Sequence, residues 1–188
     1  DHDYMASRHE RKPYDSPVSI YEMHMGSWMK KPDGSNHTFA EIAGHLIPYL
    51  KNHHYTHVEF MPVYEHPLDA SWGYQGTGYY AVTARYGVPK DLMYLIDELH
   101  QAGIGILLDW VPGHMCKDPH GLYMFDGAPL FEYSDAFIRE NWVWGTANFD
   151  LGSGMVRSFM ISNALFYMRE FHVDGFRLDA VSNMIHYL

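Results

Sequence analysis

The sequence is poor in cysteine, in positive charge and in long apolar runs. Cys116 is the single cysteine among 188 residues, which excludes an intrachain disulfide and a multi-cysteine zinc site. Lys and Arg number 13 against 23 Asp and Glu, and the formal net charge of −10 has the wrong sign for binding a phosphate backbone. No apolar run approaches the roughly 18 residues of a membrane span. We therefore expect a cytoplasmic protein with no nucleic-acid or membrane partner.

Apolar side chains, by contrast, are abundant. Hydrophobic residues make up 47% of the chain and aromatic residues 16%, which is enough apolar surface to form a core and excludes a disordered chain. At roughly 150 residues per domain, the length predicts one core rather than two. The sequence opens with Asp1 rather than Met and stops at Leu188, shortly after an apolar run, so we expect it to be an excerpt from a longer protein.

Hydrophobic periodicity predicts alternating strands and helices after a polar N-terminal segment. Residues 1–17 have no periodic pattern and are interpreted as a linker from a missing upstream domain. Apolar runs rich in β-formers predict four strands, at 18–24, 57–63, 104–109 and 173–179. Helical spacing predicts the helices between them, at 39–50, 89–99 and 156–171, and residues 111–152 are expected to be irregular. Pro48 predicts a kink or an early end in the first of these helices.

Strands without polar alternation, separated by helices, predict an α/β fold with a parallel sheet buried on both faces. Such a sheet is either doubly wound or part of a (β/α)8 TIM-type barrel. A complete barrel has eight strands and about 250 residues. If the fold is a barrel, residues 18–188 therefore form its first half, a partial barrel of about four β/α units.

Polar side chains gather where the predicted strands end, and the carboxyl ends of parallel strands are where α/β folds place their sites. They are His24 after the first strand, Glu65, His66 and Tyr74 after the second, Asp109 and His114 at the third, and Arg177 and Asp179 at the fourth. Arg177 and Asp179 are two residues apart, so both project from one face of the strand, and the arginine is expected to lower the pKa of the carboxyl group. That suits a nucleophile or a charge stabiliser; the alternative is a structural ion pair.

The other candidate residues each have a structural interpretation too. Asp109 closes a buried apolar run, where it is either functional or a carboxylate that caps the following loop. The aromatic residues of Trp72–Tyr80 suit the C–H faces of sugar rings, although such clusters also form in ordinary packing. His54 and His57 lack a matching carboxylate cluster, and Cys116 lacks an evident orienting Asn or Asp. We therefore predict no metal site, no cofactor and a plain free thiol.

Two segments, Ile104–His114 (IGILLDWVPGH) and Val173–Val181 (VDGFRLDAV), resemble signature regions of the α-amylase superfamily of retaining glycosidases and glucanotransferases. Ser19–Trp28, Met61–Pro67 and Ser71–Gln75 fit the same resemblance. Within the superfamily, the chain is most similar to the glycogen (1,4-α-glucan) branching enzymes, because Pro112 and Gly113 precede His114 where many amylases carry Asn. The resemblance departs from the family at Gly76 and Val82, where proline is usual, and is loose over residues 141–151.

The resemblance implies the first half of a catalytic (β/α)8 barrel that cleaves α-1,4 linkages of glycogen or amylose and transfers the cut chain to a 6-hydroxyl. By position, it implies that Asp179 is the nucleophile, that Arg177 orients it, and that Tyr74, Asp109 and His114 bind the sugar at the cleavage point. A retaining mechanism also needs a second carboxylic acid about 5–5.5 Å from the nucleophile. The family supplies it after the fifth strand, so we expect the general acid to lie outside this chain. The alternatives are an α-glucan hydrolase of the same superfamily and an inactive glucan-binding fragment.

Overall fold

The computed structural model describes residues 2–10 and 15–185. The strands are β1 (Ile20–Met23), β2 (His57–Phe60), β3 (Tyr64–Glu65), β4 (Gly78–Val82), β5 (Gly105–Trp110), β6 (His114–Met115), β7 (Glu140–Asn141), β8 (Thr146–Asn148) and β9 (Gly175–Leu178). The helices are α1 (His2–Ser7), α2 (Met25–Trp28), α3 (Phe39–Asn52), α4 (Pro89–Gln101), α5 (Ala136–Arg139), α6 (Gly154–Glu170) and α7 (Val181–Ile185). The chain divides into two compact units. The sheet unit comprises Asp1–Met61, Thr83–Leu108 and Tyr167–Arg177, and the loop unit comprises Pro62–Val82, Asp109–Phe166 and Leu178–Leu188.

The principal sheet has the strand order β1-β2-β5-β9. The first two pairings are parallel, with Ile20 opposite His57 and Val58 opposite Ile106. Each strand therefore lies beside the next strand of this sheet in the chain, with helices in the connections. A doubly wound sheet reverses its strand order part-way, whereas a (β/α)8 barrel adds its strands in sequence. The observed order favours the barrel over the doubly wound alternative.

Helix α3 begins with a capping box, in which Glu41 N donates to Thr38 Oγ1 (3.2 Å) and Thr38 N donates to Glu41 Oε2 (2.8 Å). Of the kink or early end expected at Pro48, the early end is wrong, because α3 continues to Asn52. Proline removes one backbone hydrogen bond from a helix interior. Here the helix places Ile42, Leu46 and Leu50 in the core without exposed surface, and this burial outweighs the lost bond.

Residues 2–10 are helical, in contrast to the irregular segment expected for residues 1–17. Residues 2–7 form α1, and Arg8–Glu10 form a 3-10 turn. Tyr4 stacks on His100 of α4, with ring centroids 3.7 Å apart and an interplanar angle of 8°. A helix of six residues is marginal by propensity alone, so contacts with distant residues stabilise it. The role of residues 1–17 as a linker stays a prediction, and residues 11–14 lie outside the described residues.

The loop unit contains more regular structure than the irregular segment expected at 111–152. Strands β3 and β4 form an antiparallel hairpin, and β6, β8 and β7 form a three-stranded antiparallel sheet. Its core includes Tyr64, Tyr79, Phe149 and Met160. Strands of two or three residues are too short to show an alternating pattern, which is why the sequence does not reveal them. Among the described residues, the helices are all too short or too polar to cross a membrane.

Candidate active site

Tyr74 and Asp109 form the first contact of the candidate site. Asp109 is the fifth residue of β5 and is buried, and the Tyr74 hydroxyl donates a hydrogen bond to its Oδ2. A buried carboxylate requires such donors, because the charged form loses its hydration. Tyr74 and Asp109 are thus in contact within the loop unit, although they are 35 positions apart in sequence.

Asp179 and His114 form the second contact. Asp179 directly follows β9, and its backbone N–H donates to the carbonyl of Trp110 (2.9 Å), the residue after Asp109. Its carboxylate is 21% exposed, and Oδ2 lies 3.9 Å from His114 Nε2. The next residue, Ala180, has φ = 50°, a left-handed conformation that is strained for a residue with a Cβ. Asp179 is therefore held at a strained turn beside His114. Its backbone hydrogen bond to Trp110 attaches this turn to the last residue of β5.

Backbone contacts fix the position of His114. Its carbonyl accepts a hydrogen bond from the Tyr79 hydroxyl (2.9 Å), and its backbone pairs with Asn148 across β6 and β8. Its Nδ1 is buried and has no hydrogen-bond partner in the structure. A buried ring nitrogen without a hydrogen-bond partner has a cost in stability. His114 thus combines a backbone fixed by two contacts with a buried ring nitrogen that still has the capacity for a hydrogen bond.

The turn that carries Tyr74 has a backbone that few residues can adopt. Trp72 and Gly73 have φ values of 55° and 94°, and Tyr74 N donates to Ser71 O (3.0 Å). A Cβ on Gly73 would lie 2.6 Å from the carbonyl oxygen of Pro62, so that position excludes every side chain.

Gly76, one of the departures from the family, lies against the Tyr64 ring. A Cβ on Gly76 would lie 2.2 Å from Tyr64 Cε2, a separation that side chains do not tolerate. The ring of Tyr64 occupies the space that a proline ring at this position would need. Glycine is therefore the residue that fits beside Tyr64 in this chain.

Asn163 is a supporting residue that sequence reasoning missed. It is fully buried on α6, where its Oδ1 accepts from Trp110 Nε1 (2.9 Å) and its Nδ2 donates to the carbonyl of Tyr79 (2.7 Å). Asn163 thereby joins the end of β5 to β4, whose Tyr79 donates to the carbonyl of His114. The available signal was an amide at a core position of an otherwise apolar helix face, between Met160 and Tyr167.

The remaining candidates lie elsewhere along the chain. Arg177 lies on β9 in the sheet unit, two residues before Asp179, and its orienting role stays a prediction. His24 Nδ1 is 3.0 Å from Ser27 Oγ, and His66 Nδ1 is 2.9 Å from the carbonyl of Tyr64. Cys116 is buried and donates to the carbonyl of Gly76, and burial raises the pKa of its thiol to about 11. A thiol with that pKa is mostly protonated at neutral pH, which disfavours its action as a nucleophile.

Comparison with known proteins identifies the class of protein. The chain belongs to the family described as alpha amylase, catalytic domain, which it matches over residues 33–147. An α-amylase from Geobacillus thermoleovorans, solved with acarbose, superposes with a TM-score of 0.72 at 21% identity, covering 88% of this chain and 40% of that one. This likeness confirms the fold, the first part of a (β/α)8 barrel.

Within that family, the most informative relatives are branching enzymes. The chain is 62% identical over 187 residues to the 1,4-alpha-glucan branching enzyme GlgB of Geobacillus stearothermophilus, covering 100% of this chain and 29% of that protein. The corresponding enzyme of Bacillus caldolyticus is 60% identical, with 28% of its length covered. The resemblance to branching enzymes is confirmed. The chain spans about three tenths of the length of these relatives.

Proposed function

We propose that this chain is the first half of the catalytic barrel of a 1,4-α-glucan branching enzyme of the cytoplasm, acting in glycogen synthesis. The observation that carries the proposal is the pair of contacts in the loop unit, Tyr74 with Asp109 and His114 with Asp179. These four residues come from separate parts of the sequence and include the nucleophile and the sugar-binding residues that the resemblance implies. The identity of 62% to a branching enzyme supports the same assignment.

The proposed reaction is a retaining double displacement. A carboxylate oxygen of Asp179 attacks the anomeric carbon of an α-1,4 linkage, and the bond from that carbon to the leaving 4-oxygen breaks as the oxygen takes a proton from a general acid. The product is a glucosyl ester of Asp179. The 6-hydroxyl of a second glucan chain then attacks the same carbon, loses its proton to the conjugate base of that acid, and releases the carboxylate. Each step inverts the anomeric carbon, so the new α-1,6 linkage keeps the original configuration.

The other site residues bind and orient the sugar. Tyr74 stacks against the ring at the cleavage point, while Asp109 and His114 bond its hydroxyl groups, His114 through the buried nitrogen described above. Arg177 keeps Asp179 ionised and correctly turned. We place the general acid outside this chain. Glu132, a buried carboxylate of the loop unit, accepts from the backbone N–H of Met124 (2.8 Å), which is a structural role.

The experiment that tests this function uses the full-length enzyme and amylose. Branching lowers the iodine absorbance while the number of reducing ends stays constant until a debranching enzyme is added. Loss of iodine colour with a parallel rise in reducing ends would instead establish a hydrolase. Hydrolysis is the second candidate because the matched family is named for α-amylase.

A further inference from the structure

A short hairpin in the loop unit exposes large apolar side chains. Strands β7 and β8 are joined by the four residues Trp142–Gly145, which we call the hairpin tip. Trp142 is 79% exposed, Val143 86% and Trp144 43%. Three consecutive exposed apolar side chains, two of them indoles, offer a ligand a large apolar area that binding would remove from water.

The hairpin tip is held in one conformation by its own hydrogen bonds. Glu140 pairs with Ala147 and Asn141 pairs with Thr146. Within the turn, Asn141 Oδ1 accepts from Trp144 N (3.2 Å), and Asn141 O accepts from Gly145 N (2.8 Å). Gly145 adopts φ = 69°, which glycine does without strain. Because the hairpin is already ordered, a ligand that binds this tip costs the protein little conformational entropy, which favours binding.

The hairpin tip is continuous with the candidate active site. The ring of Trp144 lies against that of His114, with centroids 4.8 Å apart, and His114 lies 3.9 Å from Asp179. The same hairpin strand, β8, pairs with β6, which carries His114. A chain-like substrate that leaves the site past His114 therefore meets Trp144 next.

The charged groups around the hairpin base pair with one another. Glu140 accepts from Lys117 Nζ (2.6 Å) and from Arg139 Nε (3.2 Å). The Lys117 and Arg139 pairs hold the pKa of the Glu140 carboxyl below its usual value, although burial acts in the opposite direction. Neighbouring charges are thus engaged, and the tip itself carries none. This surface suits a neutral ligand with flat C–H faces rather than an anion or a cation.

We propose that the hairpin tip is a binding platform for an α-1,4-glucan chain that extends beyond the catalytic pocket, with Trp142 as its principal contact. The proposal rests on the proposed function for its ligand. Sugar rings present C–H faces that pack against the flat faces of indole rings. A ligand of this kind gains affinity by adding glucose units that reach the tip.

The test is Trp142→Ala in the full-length enzyme, with Trp142→Tyr as the conservative variant and Tyr94→Ala as a matched control. Tyr94 is an exposed aromatic residue on α4 in the sheet unit. Two measurements are made: retardation in native gels containing amylose, which requires no turnover, and KM and kcat for amylose. We expect Trp142→Ala to weaken the retardation by amylose and to raise KM, each by about two- to tenfold, with kcat little changed. Trp142→Tyr should retain most of the affinity, and Tyr94→Ala all of it.

The two measurements separate failure of the platform from failure of the proposed function. If the wild type branches amylose but Trp142→Ala matches Tyr94→Ala in both assays, the platform is refuted and the function stands. If the wild type is retarded by amylose but only hydrolyses it, a selective loss of retardation in Trp142→Ala still supports the platform. A loss in kcat without a change in retardation would refute it. If the tip instead binds a second copy of the chain, Trp142→Ala changes the mass measured by light scattering and leaves retardation unaltered, which also refutes the proposal.

Discussion

The contacts of Asp174 predict that its carboxylate anchors the N-terminal segment to the principal sheet. Its Oδ2 accepts from His100 Nε2 (3.0 Å) and from Ile106 N (2.8 Å), and its Oδ1 lies 3.3 Å from Arg8 Nε. The side chain of Asp174 is 13% exposed and that of Arg8 is 24% exposed. Arg8 also donates to the carbonyl of Val173 (2.6 Å). One carboxylate, directly before β9, thus contacts the 3-10 turn Arg8–Glu10, α4 and β5.

Replacing Asp174 with Asn should destabilise the sheet unit strongly. The change removes the negative charge and leaves Arg8 with a neutral partner at a mostly buried site, a loss of about 3–5 kcal/mol. For a cooperative unit of about 150–250 residues, each kcal/mol lowers Tm by about 2–4 °C, so the expected drop is about 6–20 °C. The assay is thermal unfolding of the full-length enzyme at neutral pH. Asp126→Asn, in an exposed loop, is the control and should shift Tm by less than about 2 °C.

The same carboxylate predicts a dependence of stability on pH. Burial by itself raises the pKa of Asp174, but the hydrogen bonds from His100 and Ile106 and the charge of Arg8 outweigh it, so the pKa lies below the ordinary value of 3.8. The unfolded chain therefore takes up this proton at higher pH than the folded one. The stabilisation is complete above pH 3.8 and is lost as pH falls through the folded pKa. Asp174→Asn should make stability less dependent on pH in this acid range. A pH dependence equal to that of the wild type, together with a Tm shift no larger than that of Asp126→Asn, would refute the reasoning.

Three other changes test the site and the fold. Asp179→Asn should abolish transfer while Tm changes little, because it removes the nucleophile's charge at nearly constant volume; full activity would refute the assignment. In denaturant titrations, Gly76→Ala should lower the free energy of unfolding by about 1–3 kcal/mol through overlap with Tyr64. Gly44→Ala, on an open face of α3, should raise it by about 0.5–1 kcal/mol. Residues 1–188 expressed alone should self-associate in light scattering and leave amylose iodine colour unchanged, because β1 and β9 are sheet edges and the proposed acid is absent; a monodisperse, active monomer would contradict this.

The central strands β2 and β5 could be predicted because a buried parallel strand appears in sequence as an apolar run, whereas the edge strands β1 and β9 are partly exposed, in contrast to the sheet expected to be buried on both faces. Val58, Ile106 and Leu108 are all buried, as such runs require. The predicted ends were less accurate, since the strand expected at 57–63 stops at Phe60. Asp109 and Asp179 were chosen as candidates by position, because α/β folds place their sites at the carboxyl ends of parallel strands, and their roles stay predictions.

Other features could not be predicted because distant contacts determine them. The helix at residues 2–7 depends on the stacking of Tyr4 against a histidine almost 100 positions away. The sequence shows Asn163 only as a polar residue at a core position of a helix. Its role follows from its two hydrogen-bond partners, at positions 79 and 110, which are distant in the chain. No local pattern within 111–152 indicates which short strands pair, because each has only two or three residues.

The loop that carries Tyr74 explains why a departure from the family pattern leaves the site intact. A proline at position 76 would restrict the backbone through its ring. Gly76 lacks that restriction, but the Tyr64 ring lies against it and the buried Cys116 thiol donates to its carbonyl. Contacts from two other segments thus supply the rigidity that the sequence change removes. Since Tyr74 reaches Asp109 from this loop, loss of the Tyr64 ring should loosen the site more than loss of any single hydrogen bond within the turn.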